Sequence, residues 1–209
     1  MSTINEVLYL EPGLAGTPMT VEEFDAVTEC DELYVYQLIN GVLVVNPPPS
    51  IGERGPNDLL GYLLRAYGEQ HSQGKALTYT APEQTLRTVN RRRADRAIWA
   101  GFDHVPDIDS TPPTITIEFV SESLRDRRRD YEVKRDEYLE VGIAKYWVID
   151  RFQRKMTVFR HGDKGYAQVI VQEEETYQTP LLPGFELPLA RILAEADLVE
   201  GADCYFVST

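Results

Sequence analysis

Two carboxylates and one ammonium have the types and spacing that phosphate-ester chemistry requires. Glu118 interrupts the apolar run 114-TITIEFV-120, Asp95 opens the extended run 95-DRAIWA-100, and Lys134 sits in 130-DYEVKRDEY-138. The strand period of two puts Thr114, Thr116, Glu118 and Val120 on one face and Ile115, Ile117 and Phe119 on the other. A carboxylate inside an apolar strand needs a partner. An aspartate and a glutamate meeting at one end of adjacent strands repel each other unless a cation lies between them. Hard oxygen ligands with open coordination positions suit Mg²⁺, with Mn²⁺ as the alternative. An ion held this way polarises a phosphodiester and lowers the pKa of a bound water. A further cation must orient the nucleophile. The position two residues after Glu118 is Val120, so Lys134, on the following helix, is the side chain expected to supply it.

Each of these residues also has an ordinary reading. An aspartate at a strand start is commonly solvated or caps a turn. A helix lysine is commonly solvated, and Glu132, Asp136 and Glu137 are near enough in sequence to neutralise Lys134. The arginines Arg125, Arg127, Arg128 and Arg129 alternate with Asp126 and Asp130, which fits an exposed, salt-bridged loop as well as a rim that contacts phosphates. The net charge of -13 argues against a general nucleic-acid coat protein, because phosphate binding rests on a positive surface. That charge is uneven: residues 91 to 135 hold ten basic and nine acidic side chains, leaving 11 basic and 25 acidic for the rest. A polyanion would therefore meet the middle segment, where Arg91, Arg92 and Arg93 add to the basic set.

These side chains need a scaffold. Thr20 and Glu23 form a capping-box pattern that starts a short helix. The runs LYVYQLI and VLVV flank Asn40-Gly41, the pair best suited to a two-residue hairpin turn, so an N-terminal β-hairpin is expected. Pro47, Pro48 and Pro49 and then IGERGPN read as a break, followed by a core-facing helix in DLLGYLLRAYGEQ. Extended runs follow at ALTYT, QTLRTV, DRAIWA, TITIEFV, KYWVID, MTVFRH and GYAQVIV, with a helical tail around LARILAEA. Helix DYEVKRDEYLEVG between TITIEFV and KYWVID fits a crossover joining parallel strands. The class is α/β, a central mixed sheet flanked by helices, and the 209 residues are expected to form a single domain, 1–209. No apolar run is long enough to cross a bilayer and the first residues lack a secretory pattern, so no membrane partner and a cytoplasmic location are expected. Cys30 and Cys204 have no metal-ligand spacing, and His71, His104 and His161 accompany no nucleophile elbow, which leaves a serine or cysteine hydrolase without support.

The ordered set of motifs YQLINGVLVVNPPPS, ADRAIW, ITIEFVSES, YEVKRDEYLEVGIAKYWVIDRF and TPLLPGFEL resembles the Uma-two family of restriction endonucleases, within the PD-(D/E)XK nuclease superfamily. The resemblance runs over nearly the whole chain. It implies a restriction-endonuclease-like core and Mg²⁺-dependent hydrolysis of phosphodiester bonds. It places the family's strand aspartate on Asp95, its second-strand glutamate on Glu118 and its helix-borne lysine on Lys134, with Glu53 as a further acidic residue from the first core helix. The chain departs from the family pattern at Gln37, Asn40, Val42, Glu53 and Ala94. The expectation is a metal-dependent DNA endonuclease acting as a homodimer. The alternative is a catalytically idle binding or interaction module on the same fold.

Overall fold

The computed structural model describes residues 9–121, 128–162 and 165–198. Two compact units emerge, one from Met1–Pro48 with Thr85–Arg93 and the other from Pro49–Gln84 with Ala94–Thr209.

In the first unit, Tyr9–Leu10 (β1) and Glu29–Cys30 (β2) form a short parallel pair. Between them lies the helix Val21–Asp25 (α1), started by the expected capping box, in which Thr20 and Glu23 exchange bonds of 2.8 and 3.1 Å. The expected hairpin is present as Val35–Ile39 (β3) and Val42–Asn46 (β4), antiparallel across Asn40 and Gly41, whose φ values of 52° and 73° demand such turn residues. Leu10, Met19, Tyr36, Leu38 and Leu43 form its core. Arg91 corrects the sequence reading: it is buried and donates to both oxygens of Asp25, each at 2.7 Å, so it is committed to an internal pair. Arg92 is buried as well.

The second unit begins with the helix Ile51–Gln70 (α2), which starts at Ile51 instead of near Asp58. The segment IGERGPN had read as a break because of its glycines and Pro56. The Ser50 amide and hydroxyl both donate to Glu53 Oε2, at 2.7 and 2.8 Å, and this cap anchors the first turn ahead of the proline. The next strands, Leu77–Arg87 (β5) and Arg91–Ala100 (β6), pair with each other. The runs ALTYT and QTLRTV are thus one strand, which passes Pro82 with Glu83 in the left-handed region at φ 51°.

Strands Ile115–Phe119 (β7), Lys145–Asp150 (β8), Lys155–Gly162 (β9) and Gly165–Gln172 (β10) complete the sheet in the order β10-β9-β8-β7-β6. Strands β7 and β8 are parallel and the other neighbours antiparallel, which makes the sheet mixed. The β7–β8 crossover contains a π-helical turn, Arg129–Val133, that runs into the helix Lys134–Glu140 (α3). A hairpin of Thr176–Thr179 (β11) and Leu182–Pro188 (β12) leads to the helix Leu189–Asp197 (α4), where the helical tail was expected.

Sheet alternation divides the unit into two layers. Ile98, Ile115, Ile117, Phe119, Trp147 and Ile149 point to the side covered by Leu60, Leu64, Ile192 and Leu193 of α2 and α4. Thr116, Glu118, Tyr146 and Val148 occupy the intervening positions, and Tyr138 of α3 packs edge-on to Tyr146 at 5.1 Å. Helix α2 is fastened to β6 through Arg96, whose Nε donates to Asn57 Oδ1 at 2.6 Å and whose Nη2 donates to the Asn57 carbonyl at 2.9 Å. Burial lowers the Arg96 pKa to about 10, so the guanidinium stays charged at neutral pH. Gly61 makes room for it, since a Cβ there would lie 2.7 Å from Nη2 and 3.0 Å from Cζ.

Two stability effects follow. Helix propensity alone would make Gly61→Ala stabilising by about 1 kcal/mol. Displacing the buried Arg96 from its acceptors instead makes it destabilising by about 1–2 kcal/mol in a denaturant melt, and a gain in stability would contradict this packing. Asp25→Asn costs about 1–3 kcal/mol through the loss of its charged, two-pronged contact. The Arg91 hydrogen bonds hold the Asp25 carboxyl below its ordinary range. Its contribution is therefore complete above the ordinary aspartate pKa and fades as pH falls through the lowered folded-state value, where wild type and variant converge.

Candidate active site

Strand β7 is the frame of the site, and all five of its residues are buried. Glu118, only 2% exposed, points away from the α2–α4 core, as its strand position predicts. Its Oε2 accepts from Lys134 Nζ at 2.7 Å and its Oε1 from the Tyr138 hydroxyl at 2.9 Å. The ordinary reading of Lys134 as a solvated helix lysine is therefore excluded by a side chain only 4% exposed.

Asp95 reaches the same strand end from β6. Arg96 pairs with Ile117, so Asp95 and Glu118 are the next residues along the two antiparallel strands. Asp95 Oδ2 accepts from the Phe119 amide at 2.6 Å. Asn57 of α2 donates to the Asp95 carbonyl at 2.8 Å, fixing the backbone from the opposite layer. Asp95 itself keeps partial access to solvent.

The local electrostatics are those of acids held close together. Burial and then the Glu118 carboxylate push Asp95 well above the ordinary aspartate range, with Lys134 and the Phe119 amide opposing. Burial likewise raises Glu118, and the Lys134 and Tyr138 contacts offset it only in part. Burial alone would lower Lys134, but the Asp130 and Glu118 carboxylates outweigh it and hold the ammonium above the ordinary lysine range. Lys134 is thus a firm cation, while the paired acids would be relieved by additional positive charge.

Sequence reasoning left Asp130 among alternating charges that fit either an exposed, salt-bridged loop or a rim that contacts phosphates. It is instead 1% exposed, with Oδ1 3.2 Å from Lys134 Nζ. The Tyr146 hydroxyl donates to its carbonyl at 3.0 Å. Asp130, Lys134 and Tyr138 stand four residues apart and so share a helix face, but the spacing does not say that this face is the buried one. The π-helical turn, in which the Lys134 amide donates to the Arg129 carbonyl, is the kind of local widening that often accompanies functional positions.

The remaining candidates lie around this centre. Arg128 is helical and Arg129 opens the π-helical turn, so neither lies in a loop. Arg128 is exposed and pairs with Glu132 at 3.1 Å, while Arg129 Nε lies 3.2 Å from Asp130 Oδ1. Arg125 and Arg127 lie outside the described residues. Glu53 caps α2 and its Oε1 accepts from the Ser121 hydroxyl at 2.6 Å, three residues beyond Glu118, without a hydrogen bond to Glu118 or Lys134. Val120 lines a small cavity with Pro56, Ile149 and Ile192, and Lys134 is not among its walls.

Two carboxylates on neighbouring strands, one with solvent access, match the donor set by which Mg²⁺ is commonly held, with waters and substrate oxygens in the remaining positions. Among the described residues no group of three or more His, Cys, Asp or Glu side chains is arranged to hold a metal ion.

Comparison with known proteins agrees with this architecture. A crystal structure at 1.96 Å of a protein from Anabaena variabilis ATCC 29413, described as a "putative nuclease belonging to DUF820", superposes with a TM-score of 0.67. The two share 15% sequence identity over 86% of this chain and 99% of the other, a likeness of fold. No curated protein matches the chain. The sequence profile described as "Uma2: Putative restriction endonuclease" matches residues 21–190, a span that contains Glu53, Asp95, Glu118, Asp130 and Lys134. The chain belongs to the Uma2 family.

Proposed function

We propose that the protein is a metal-dependent endodeoxyribonuclease that hydrolyses DNA phosphodiester bonds. The observation that carries this reading is the buried Glu118–Lys134 pair, 2.7 Å apart, beside the half-buried Asp95 on the next strand. Family membership and the nuclease-like fold support the general class, a restriction-endonuclease-like nuclease.

In this mechanism Asp95 and Glu118 hold Mg²⁺, for which Mn²⁺ can substitute. When bound, the ion supplies Lewis acidity to the phosphodiester and lowers the pKa of a water. Lys134 orients the attacking water and stabilises charge that develops on the phosphate oxygens, as a cation held among carboxylates close to the reacting centre. Tyr138 keeps the Glu118 carboxylate in its rotamer. Glu53, at the α2 N-terminus, assists through Ser121. Arg128 and Arg129, with Arg125 and Arg127 in the same segment, contact phosphates and leave the bases unread. Two strands are cut by two sites, so the working form is a homodimer, in the cytoplasm.

A second reading has its own support. Both Glu118 oxygens are already engaged by Lys134 and Tyr138, and the net charge is -13, which fits a catalytically idle binding module on this fold.

Incubation with supercoiled plasmid and Mg²⁺ or Mn²⁺ separates the two. The nuclease reading predicts nicking by wild type that EDTA abolishes and that falls by about 10²-fold or more in Glu118→Gln and in Lys134→Met. Equal nicking by wild type and Glu118→Gln, or by neither, would contradict it. Parallel incubation with RNA tests the choice of nucleic acid.

A further inference from the structure

Asp130 is buried, within ion-pair distance of Lys134, and given no part in the mechanism above. We infer that it is a positioning residue, which takes the Lys134 ammonium over from Glu118 when Glu118 binds a divalent cation. This rests on the metal-dependent reading of the same site.

Glu118 Oε2 cannot serve an ammonium at 2.7 Å and a divalent cation in the same direction, because the two positive charges repel strongly at such separations. The ammonium must yield, yet it is almost wholly enclosed, and a buried charge without a partner is strongly disfavoured. Asp130 offers the required second acceptor. Its Oδ1 is already 3.2 Å from Nζ, so a small rotation about the last lysine torsions completes the exchange while the backbone stays still.

The acceptor is also fixed. Asp130 is 1% exposed, the Tyr146 hydroxyl binds its carbonyl at 3.0 Å, and Arg129 Nε meets its Oδ1 at 3.2 Å. An ordinary helical pair four residues apart lies on the surface and contributes little. This one is enclosed beneath Tyr138 and Tyr146, both fully buried, and shares its cation with a strand carboxylate. After the exchange, Lys134 remains beside the reacting phosphate, held from its own helix.

The test is a double-mutant cycle read by calorimetric titration with Mn²⁺. Asp130→Asn in the wild-type background weakens Mn²⁺ binding by about tenfold, because Lys134 then has only Glu118 to turn to. In the Lys134→Met background the same substitution changes binding by less than about threefold, since no ammonium needs a second acceptor. Asp130→Glu, which keeps the charge, preserves binding to within about threefold of wild type. Asp130→Ser replaces the Asn variant in the cycle, with the same expectations, if the latter does not melt cooperatively. Unchanged binding in Asp130→Asn, or equal losses in both backgrounds, as a general loss of negative charge would give, overturns the role of Asp130 alone. A wild type that binds no Mn²⁺ overturns the metal-dependent reading and this inference with it.

Discussion

Everything at the centre of the second unit answers to one constraint: a carboxylate placed inside a buried strand must be kept company. Glu118 is held by a lysine and a tyrosine from the helix that follows its own strand. The desolvation of such a pair is costly, and removing either partner typically destabilises by about 3–5 kcal/mol because the other charge is left enclosed. This constraint sets where α3 docks, since Lys134 and Tyr138, one turn apart on it, must both reach one carboxylate. The π-helical turn at Arg129–Val133 and the edge-on contact of Tyr138 with Tyr146 are parts of that fit.

The two faces of the sheet divide the labour. On one, aliphatic and aromatic side chains meet α2 and α4 and hold the unit together. On the other, the same strands present Glu118 and, from β6, Asp95. The layers remain coupled, because Asn57 of α2 both binds Arg96 and donates to the Asp95 carbonyl. A single residue of the core helix therefore fixes the backbone that aims a candidate ligand, and packing on one side is translated into geometry on the other. Supporting contacts of this kind commonly decide how well a site is preorganised.

Much of this was legible in the residues. Period-two alternation assigned Glu118 its face, Asn40-Gly41 marked the hairpin, and the missing lysine at Val120 pointed to Lys134 on the helix. What escaped was burial among charged residues. In the run from Arg128 to Asp136 every charged side chain has an opposite neighbour, so sequence alone gives no reason to enclose Asp130 and Lys134 while leaving Arg128 in solvent. The distinction arises only when the helix docks on β7, with Tyr138 and Tyr146 closing over one face. Arg91 was misread for a related reason: its partner, Asp25, is distant in sequence. Local composition also misplaced the start of α2, where the Ser50–Glu53 cap overrides the breaking tendency of Pro56.

In the proposed mechanism Asp95 and Glu118 act together on a divalent cation, with Lys134 as the ammonium beside it. Glu118 is engaged on both oxygens in the structure described here, so the claim requires that one of those contacts be exchangeable. Anomalous diffraction from crystals soaked in Mn²⁺ addresses this directly. The account predicts an anomalous peak within coordination distance of the Asp95 and Glu118 carboxylates; a peak elsewhere, or none with Lys134 still seated on Glu118, would contradict it.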